Sequence, residues 1–466
     1  MRTLQRFALA TLAAAVLAAC ATVPDIDAAQ FPQAPARYKE EGRWTVAAPA
    51  ATQDRGEWWK AFNDPVLDAL VEKADKSNTS IQVAAARLAQ ARAIERSVNA
   101  DRYPQVNVGG GVSRLGGVVA GTSGPARSFG TLGADLGYEV DLFGKLSRAN
   151  EAARLDARSR ASLLVSTRLL VQAEVAQAYL ALRALDDERA LVRDTLAAYR
   201  GTLDLTERRF RAGDVAELDV ARAKTEVAST ESDAFALDRR RAEVEHALAV
   251  LVGDVPSNFD LATGAWNTAL PVIPAGVPST VLTRRPDVSA AQDTMLAAQQ
   301  RVGVARAAWF PDVSLTASAG YASSELSDLF KWSARAWGVG ALLSLPVFDG
   351  GRREAGVNNA TAQLDEAAAK YREQVLVAFR DVEDQLSALR LLSDQAEAQG
   401  RAVASAARAT ALSDARYRNG LVSQLDLLDA RRSELSNRRQ ALQVRSAQYQ
   451  ATVALVRALG GGWGTT

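Results

Sequence analysis

The chain is poor in the side chains that carry most protein chemistry. Of its 466 residues one is cysteine, one histidine and two methionine, and 55 basic side chains stand against 54 acidic ones. With Cys20 alone, no intrachain disulfide can form, so stability must come from packing and assembly. The single His246 sits in helix-forming sequence, and no zinc-ligand spacing, phosphate-binding glycine loop or nucleophile elbow accompanies it. An enzyme is therefore unsupported, and no cofactor or metal is expected. Near-zero net charge without a basic face argues against nucleic acid as a partner. After Cys20 no apolar run reaches the roughly 20 residues of a spanning helix, so any membrane crossing must use strands.

What is present begins at the N-terminus. Arg2 and Arg6 precede an apolar run over 7–19 that ends Leu17-Ala18-Ala19-Cys20, a secretory signal with a lipobox. Cleavage after residue 19 would leave Cys20 free for a thioether lipid, and Ala21 rather than aspartate follows it. An ordinary cleaved signal beside a bystander cysteine is the alternative. Loss of Arg2 and Arg6 leaves 53 basic against 54 acidic residues, a nearly neutral mature chain.

The remainder is written twice. Phe210-Arg211-Ala212-Gly213-Asp214 returns as Tyr417-Arg418-Asn419-Gly420-Leu421, an offset of 207 residues, and Arg102-Tyr103-Pro104 returns as Trp309-Phe310-Pro311 at the same offset. Each copy is predicted to run helix, strand, loop, strand, long helix, turn, helix. Strands are expected at 105–115, 131–142, 312–321 and 335–348, where apolar residues alternate with polar ones or glycine. In the second of these Leu132, Ala134, Leu136 and Tyr138 alternate with Thr131, Gly133, Asp135 and Gly137. Their lengths suit tilted strands crossing a bilayer, with aromatic residues at the ends and Gly- and Ser-rich loops at 116–124 and 323–333. Four strands leave two open edges that hydrocarbon cannot satisfy. Oligomerisation follows: two chains would give a narrow barrel of about eight strands and three a wider one of about twelve.

Proline-free helices are predicted over 144–209 and 351–418, each roughly 100 Å long. Leu164, Val171, Ala178, Leu185, Val192 and Tyr199 recur every seven residues, a supercoiling seam that Arg189 interrupts at a companion position. Shorter helices are expected at 65–102, 217–252, 286–308 and 424–459. In the first copy the two short helices together match the long one, which suggests end-to-end stacking beside it. A pore-free coiled-coil scaffold, lipid-anchored, is the rival reading. At the turns, Gly213 and Gly420 supply the left-handed residue that ends a helix. Glu217, Asp219, Asp426 and Asp429 follow early in the next helix, where a carboxylate favours the helix dipole and needs no further purpose.

Several motifs carry a resemblance: Trp58-Trp59 with residues 62–67, Tyr138-Glu139-Val140-Asp141-Leu142-Phe143-Gly144, Arg284-Arg285-Pro286-Asp287 and Ala307-Ala308-Trp309-Phe310-Pro311. In order and duplicated, they resemble the outer membrane factors of tripartite efflux systems, in the lipoprotein branch of the TolC-like channels. The resemblance covers nearly all of the mature chain. It implies a mixed, mainly α fold with four transmembrane strands per chain, a homotrimer with a twelve-stranded β-barrel, and an α-helical barrel through the periplasm. It implies a signal peptide at 1–19, a lipidated and equatorial segment at 20–64, repeats at 65–253 and 286–460, an equatorial linker at 254–285 and a tail at 461–466. It implies a passive conduit for small molecules in the cell outer membrane, anchored to outer-membrane lipid through Cys20. Its expected partners are a periplasmic adaptor (membrane fusion) protein and an inner-membrane exporter of the resistance-nodulation-division type. An exit duct for type I protein secretion is the alternative. Asp426, Asp429, Tyr417 and Asp219 fall at positions resembling the periplasmic gate. Val422 stands where a relative has arginine, so Arg418 or Arg211 would supply the lock. The turns Gly213, Asp214, Val215 and Gly420, Leu421, Val422 would dock the adaptor.

Overall fold

The computed structural model describes residues 24–26, 31–40, 56–115, 127–271, 273 and 284–461. The signal sequence, Cys20, the loop at 116–124 and nearly all of the tail lie outside the described residues. Helices α1 (Pro65–Ser77) and α2 (Thr79–Ala100) lead into strands β1 (Gln105–Leu115) and β2 (Arg127–Glu139), then into α3 (Lys145–Arg211) and α4 (Glu217–Leu251). The second copy gives α5 (Pro286–Ala307), β3 (Asp312–Ser323), β4 (Arg335–Ser344), α6 (Arg352–Arg418) and α7 (Gln424–Ala458). Helices α2 and α5 have 22 residues each, α3 and α6 have 67, and α4 and α7 have 35. The duplication is thus kept residue for residue in the helices.

Two compact units each draw on both copies: residues up to 31 with 86–162 and 290–373, and residues 32–85 with 163–289 and 374–466. The first unit holds one antiparallel sheet in the order β1-β2-β3-β4. Its register aligns the alternation of all four strands. Val108, Ala134, Ala319 and Trp337 form one row on the apolar face, while Asn107, Asp135, Ser318 and Gly338 form a row on the other. In the same unit Met295, Ala298 and Val302 of α5 pack on Ala360, Leu364 and Ala367 of α6, with Phe31 edge-on to Tyr371 at 5.0 Å. Phe143 and Phe310, one after each copy's strand or helix, stack at 4.7 Å.

In the second unit the heptad seam is buried at Val171, Val175, Leu182 and Val192. Arg189, which interrupts it, reaches across to Asp238 of α4 at 2.6 Å. The linker is fastened by a buried ionic cluster. Asp186 accepts from Arg241 at 2.8 Å and Arg183 at 3.0 Å, and these arginines in turn donate to the Leu261 and Ala262 carbonyls. Both copies then splice a short helix end-on to another. Asn78 caps α2 by accepting from Ser80 and Ile81, and donates at 2.8 Å to the terminal Leu251 carbonyl of α4. Arg285, 207 residues on, donates at 3.5 Å to Ala458 of α7, the counterpart of Leu251. Gly253 and Gly460 end the incoming helices at φ 76° and 87°, where an added Cβ would lie 2.6 Å from the Ser77 carbonyl and 2.8 Å from that of Arg284.

Four boundaries differ from expectation by three residues or more, the first being the start of β2 at Arg127 rather than 131. The helix expected at 65–102 is broken at Asn78, whose extended backbone (φ −66°, ψ 128°) serves the splice. Strand β2 ends at 139 rather than 142, because Asp141 turns to accept from the Leu146 and Ser147 amides and caps α3. Strand β4 ends at 344, two residues before Pro346, which has no N–H to give to a ladder.

Along one row on the polar face, Gly109 pairs with Gly133 and Gly133 with Gly320. A Cβ on Gly320 would sit 2.4 Å from the Leu132 carbonyl oxygen and 2.5 Å from Gly133 Cα, so the sheet folds sharply here with its polar face inside the bend. Gly320→Ala is expected to destabilise the folded protein by about 1–3 kcal/mol through overpacking. Gly137→Ala, with no neighbour within 4 Å, should not. Thermal unfolding in detergent compares them, and equal melting temperatures would contradict the tight bend.

Candidate functional site

The two helix-to-helix turns are built alike and capped differently. At the first, Gly213 (φ 84°) donates to Phe210 and Asp214 to Arg209, both at 2.9 Å. At the second, Gly420 (φ 72°) donates to Tyr417 at 3.0 Å and Leu421 to Arg416 at 2.9 Å. Both close the last helical turn around a glycine free to adopt the left-handed conformation. Helix α4 then starts at Ala216 without a side-chain cap, with Glu217 and Asp219 in its first turn. Helix α7 starts from a complete capping box instead. The Ser423 hydroxyl accepts from the Asp426 amide at 3.2 Å, and the Asp426 carboxylate accepts from the Ser423 amide at 3.0 Å and its hydroxyl at 2.7 Å. These bonds, the hydroxyl's first, hold the Asp426 carboxyl below its ordinary value.

The expected gate residues occupy distinct settings. Asp429 is 60% exposed, 3.4 Å from Arg432. Asp219 lies 3.9 Å from Arg222 in its own helix. Arg418 pairs with Asp414 one turn back at 2.7 Å, and the Arg211 Nε donates to the Glu207 carbonyl at 3.3 Å. Tyr417 is buried, and the Arg209 guanidinium lies 4.9 Å over its ring, which joins the end of α6 to the end of α3. Around the turns Gly213, Asp214, Gly420 and Leu421 are exposed, and Val215 and Val422 half-buried. Leu218 and Leu425, equivalent in the two copies, also face outward.

The strongest ties between the two hairpins come from residues that motif reasoning missed. Arg431 of α7 donates to the Ala198 carbonyl of α3 at 3.2 Å, to the Thr202 hydroxyl, and to Asp414 of α6 at 2.9 Å. Arg432 pairs with Glu226 of α4. Only their adjacency one turn past Asp429 marked them in sequence; their partners in the first copy, Ala198, Thr202 and Glu226, are more than 200 residues away. Beside these ties three buried polar groups find no hydrogen-bond partner among the described residues: the hydroxyls of Tyr199 and Tyr417 and the Gln424 amide. Burial, reinforced by Glu226, pushes the Tyr199 phenol up to about 12. Orphaned buried groups of this kind each cost about 1–3 kcal/mol, so the joined arrangement is not deeply stable.

No helix among the described residues is long and apolar enough to cross a membrane, and no group of three or more candidate ligands there could hold a metal.

The family model described as "Outer membrane efflux protein" matches residues 70–254 and 277–461, one match per copy. The chain is 31% identical over 451 residues to the cation efflux system protein CusC of Escherichia coli, covering 97% of each chain. It is 34% identical over 460 residues to the toluene efflux pump outer membrane protein TtgC of Pseudomonas putida, covering 96% of this chain and 94% of that one. Among solved structures the outer-membrane channel OprN superposes with a TM-score of 0.88 at 31% identity, over 95% of this chain and all of the other.

The capping geometry has a direct consequence. Asp426→Ala should speed amide hydrogen exchange over 424–428, whereas Asp429→Ala should not. Because the folded carboxyl lies below its ordinary value, the box contributes fully above the usual carboxylate range and is lost as pH falls through the lowered value. The protection factor over 424–428, exchange divided into its intrinsic rate at each pH, should therefore hold steady from neutral to mildly acid pH and fall only below it. The same exchange rate in both variants would refute this role.

Proposed function

The chain belongs to the outer membrane efflux protein family, and from that premise we propose how its own residues serve a gated conduit. It is an outer-membrane channel component of tripartite efflux pumps. In the proposed assembly three copies close their sheets into one twelve-stranded barrel, with Cys20 carrying a lipid in the outer membrane. The conduit is passive and carries small molecules, and the pump upstream makes the chemical choice. That division of labour suits a family whose members bear names as different as cation and toluene efflux.

The observation behind the gate is the set of cross-helix contacts beside the two turns: Arg209 on Tyr417, Arg431 with Thr202 and Asp414, and Arg432 with Glu226. We assign the lock to Arg431 and Arg432 rather than to Arg211 or Arg418, since those two bond within their own helices. Around a narrow axis, copies of Asp429, with Asp426 and Asp219, would make an acidic ring that draws cations. Opening trades these contacts for others, and the orphaned groups beside them lower the cost of doing so. The exposed turns 213–215 and 420–422, with Leu218 and Leu425, are offered to a periplasmic adaptor, itself coupled to an exporter of the resistance-nodulation-division type.

Two outcomes follow. Removing Arg431 and Arg432 together should favour the open state by about 1–3 kcal/mol, roughly 5- to 150-fold, read as longer open times in planar bilayers. Asp429→Ala should weaken cation preference and block by multivalent cations. Unchanged currents in both experiments would refute the gate. Separately, Leu421→Glu should abolish transport in cells while the oligomer still assembles; normal transport would exclude docking at this turn.

A further inference from the structure

The segment between β3 and β4 does not stand away from the sheet. It carries two 3-10 turns, Leu326–Asp328 and Trp332–Ala334, and folds back onto the sheet's hairpin end, away from the ends that lead into helices. The side on which it folds follows from register. Gly130 pairs with Val112 and lies two residues before Leu132, so a Cβ there would point to the apolar face. That Cβ would meet Leu326 at 3.1 Å and Leu329 at 3.8 Å. Phe330 packs edge-on against Tyr321, another apolar-face residue, at 5.8 Å. Leu329 is buried by this fold, while Phe330 and Trp332 are 70% and 79% exposed.

The apolar face ends at the same level. Its rows run from Val313 with Leu343 up to Ala319 with Trp337, and the next pairs Tyr321 with Arg335. Arg335 is the first charge on that face, and its guanidinium lies on the Trp332 ring while its Nε donates to the Trp332 carbonyl at 3.2 Å. Lys331 is neutralised by Asp328 at 2.7 Å. From Arg335 to Leu343 a strand advances roughly 27 Å at ~3.4 Å per residue. Tilted at ~40°, it covers roughly 21 Å of an apolar band that is about 25 Å tall in such barrels. Leu326, Phe330 and Trp332 add apolar side chains at the hairpin end of this face, as the exposed Leu345 and Val347 follow Leu343 at the other.

We propose that residues 326–335 form a lipid-binding collar at the outer-leaflet boundary, in which Phe330 and Trp332 enter the edge of the hydrocarbon and Arg335 meets lipid phosphate. Three features specify this occupant. The patch adjoins the apolar face through Gly130 and Tyr321, its most exposed members are the aromatic types that favour a membrane interface, and Arg335 at its edge is a cation suited to an anionic headgroup. The proposal rests on the reading that the apolar face of the sheet meets lipid.

The test uses the full-length channel in phosphatidylethanolamine and phosphatidylglycerol vesicles, with a nitrobenzoxadiazole fluorophore on one introduced cysteine. The positions are Trp332→Cys, with Val339→Cys on the apolar face and Thr316→Cys on the polar face as references. Emission from position 332 should be largely lost to lipid bearing a nitroxide just below the headgroup, and little affected by aqueous iodide. Position 339 should be quenched by lipid nitroxide and position 316 by iodide alone. Quenching of 332 by iodide but not by lipid would show the segment in water. Protection from both would show it covered by a second copy, and either result overturns the collar. If 339 also escaped lipid quenching, the orientation of the sheet itself would be at fault. Arg335→Gln should reduce headgroup-level quenching at 332 in vesicles containing phosphatidylglycerol; no change would remove the phosphate contact.

Discussion

The main-chain hydrogen bonds of β1 and β4 set the terms for the rest of the molecule. The order β1-β2-β3-β4 leaves one side of each outer strand without a partner among the described residues. Water can satisfy such an edge, but hydrocarbon cannot, and each unmet group costs several kcal/mol there. A sheet that is apolar over most of one face would, in the proposed assembly, have its edges completed by other copies. The bend at Gly133 and Gly320 fits this demand, since a sheet that must close cannot stay flat, and only glycine lets the two backbones approach so nearly on the inside of the curve.

The helical part obeys a related constraint. Where one helix is joined end-on to another, each end exposes unpaired backbone groups. The splice handles this twice with one geometry and two chemistries. Asn78 is both N-cap and donor to the incoming carbonyl, whereas Arg285 reaches the same carbonyl position while held by Asp287 and Asp381. Duplication conserved the backbone path and left the side chains free to diverge. The same divergence separates the turns: a full capping box starts α7, and only charge assists α4. The buried Asp186 cluster belongs to the first copy alone, because position 393 in the second copy is serine.

These asymmetries bear on gating. A lock made of arginines that cross between helices holds its partners by a few contacts in partly exposed settings, where each is worth little alone. Adjacent orphaned polar groups offset part of that gain. An arrangement balanced in this way could be shifted by a docking partner of modest differential affinity, which is what the proposed gate would need.

Much of this was legible in sequence because it rests on fixed periods and on glycine. Period two in the strands, period seven in the long helices and the 207-residue repeat of Gly213 and Gly420 come from backbone geometry, so they located nearly every element within a few residues. The break at Asn78 has a local sign, an N-cap residue type within Ser77-Asn78-Thr79-Ser80, but its second role, donating to Leu251 far along the chain, was hidden. The partners of Arg431 and Arg432 were hidden because a long side chain reaches whatever the fold brings near it. The backward fold of 326–335 and the row of close glycines depend on which face neighbouring strands present. Sequence alone determined the elements, the repeat and the two-faced sheet, since each follows from one residue's bonds to its near neighbours. Tertiary structure alone decided the splices, the cross-helix lock and the bend, since those are contacts between residues that only packing makes adjacent.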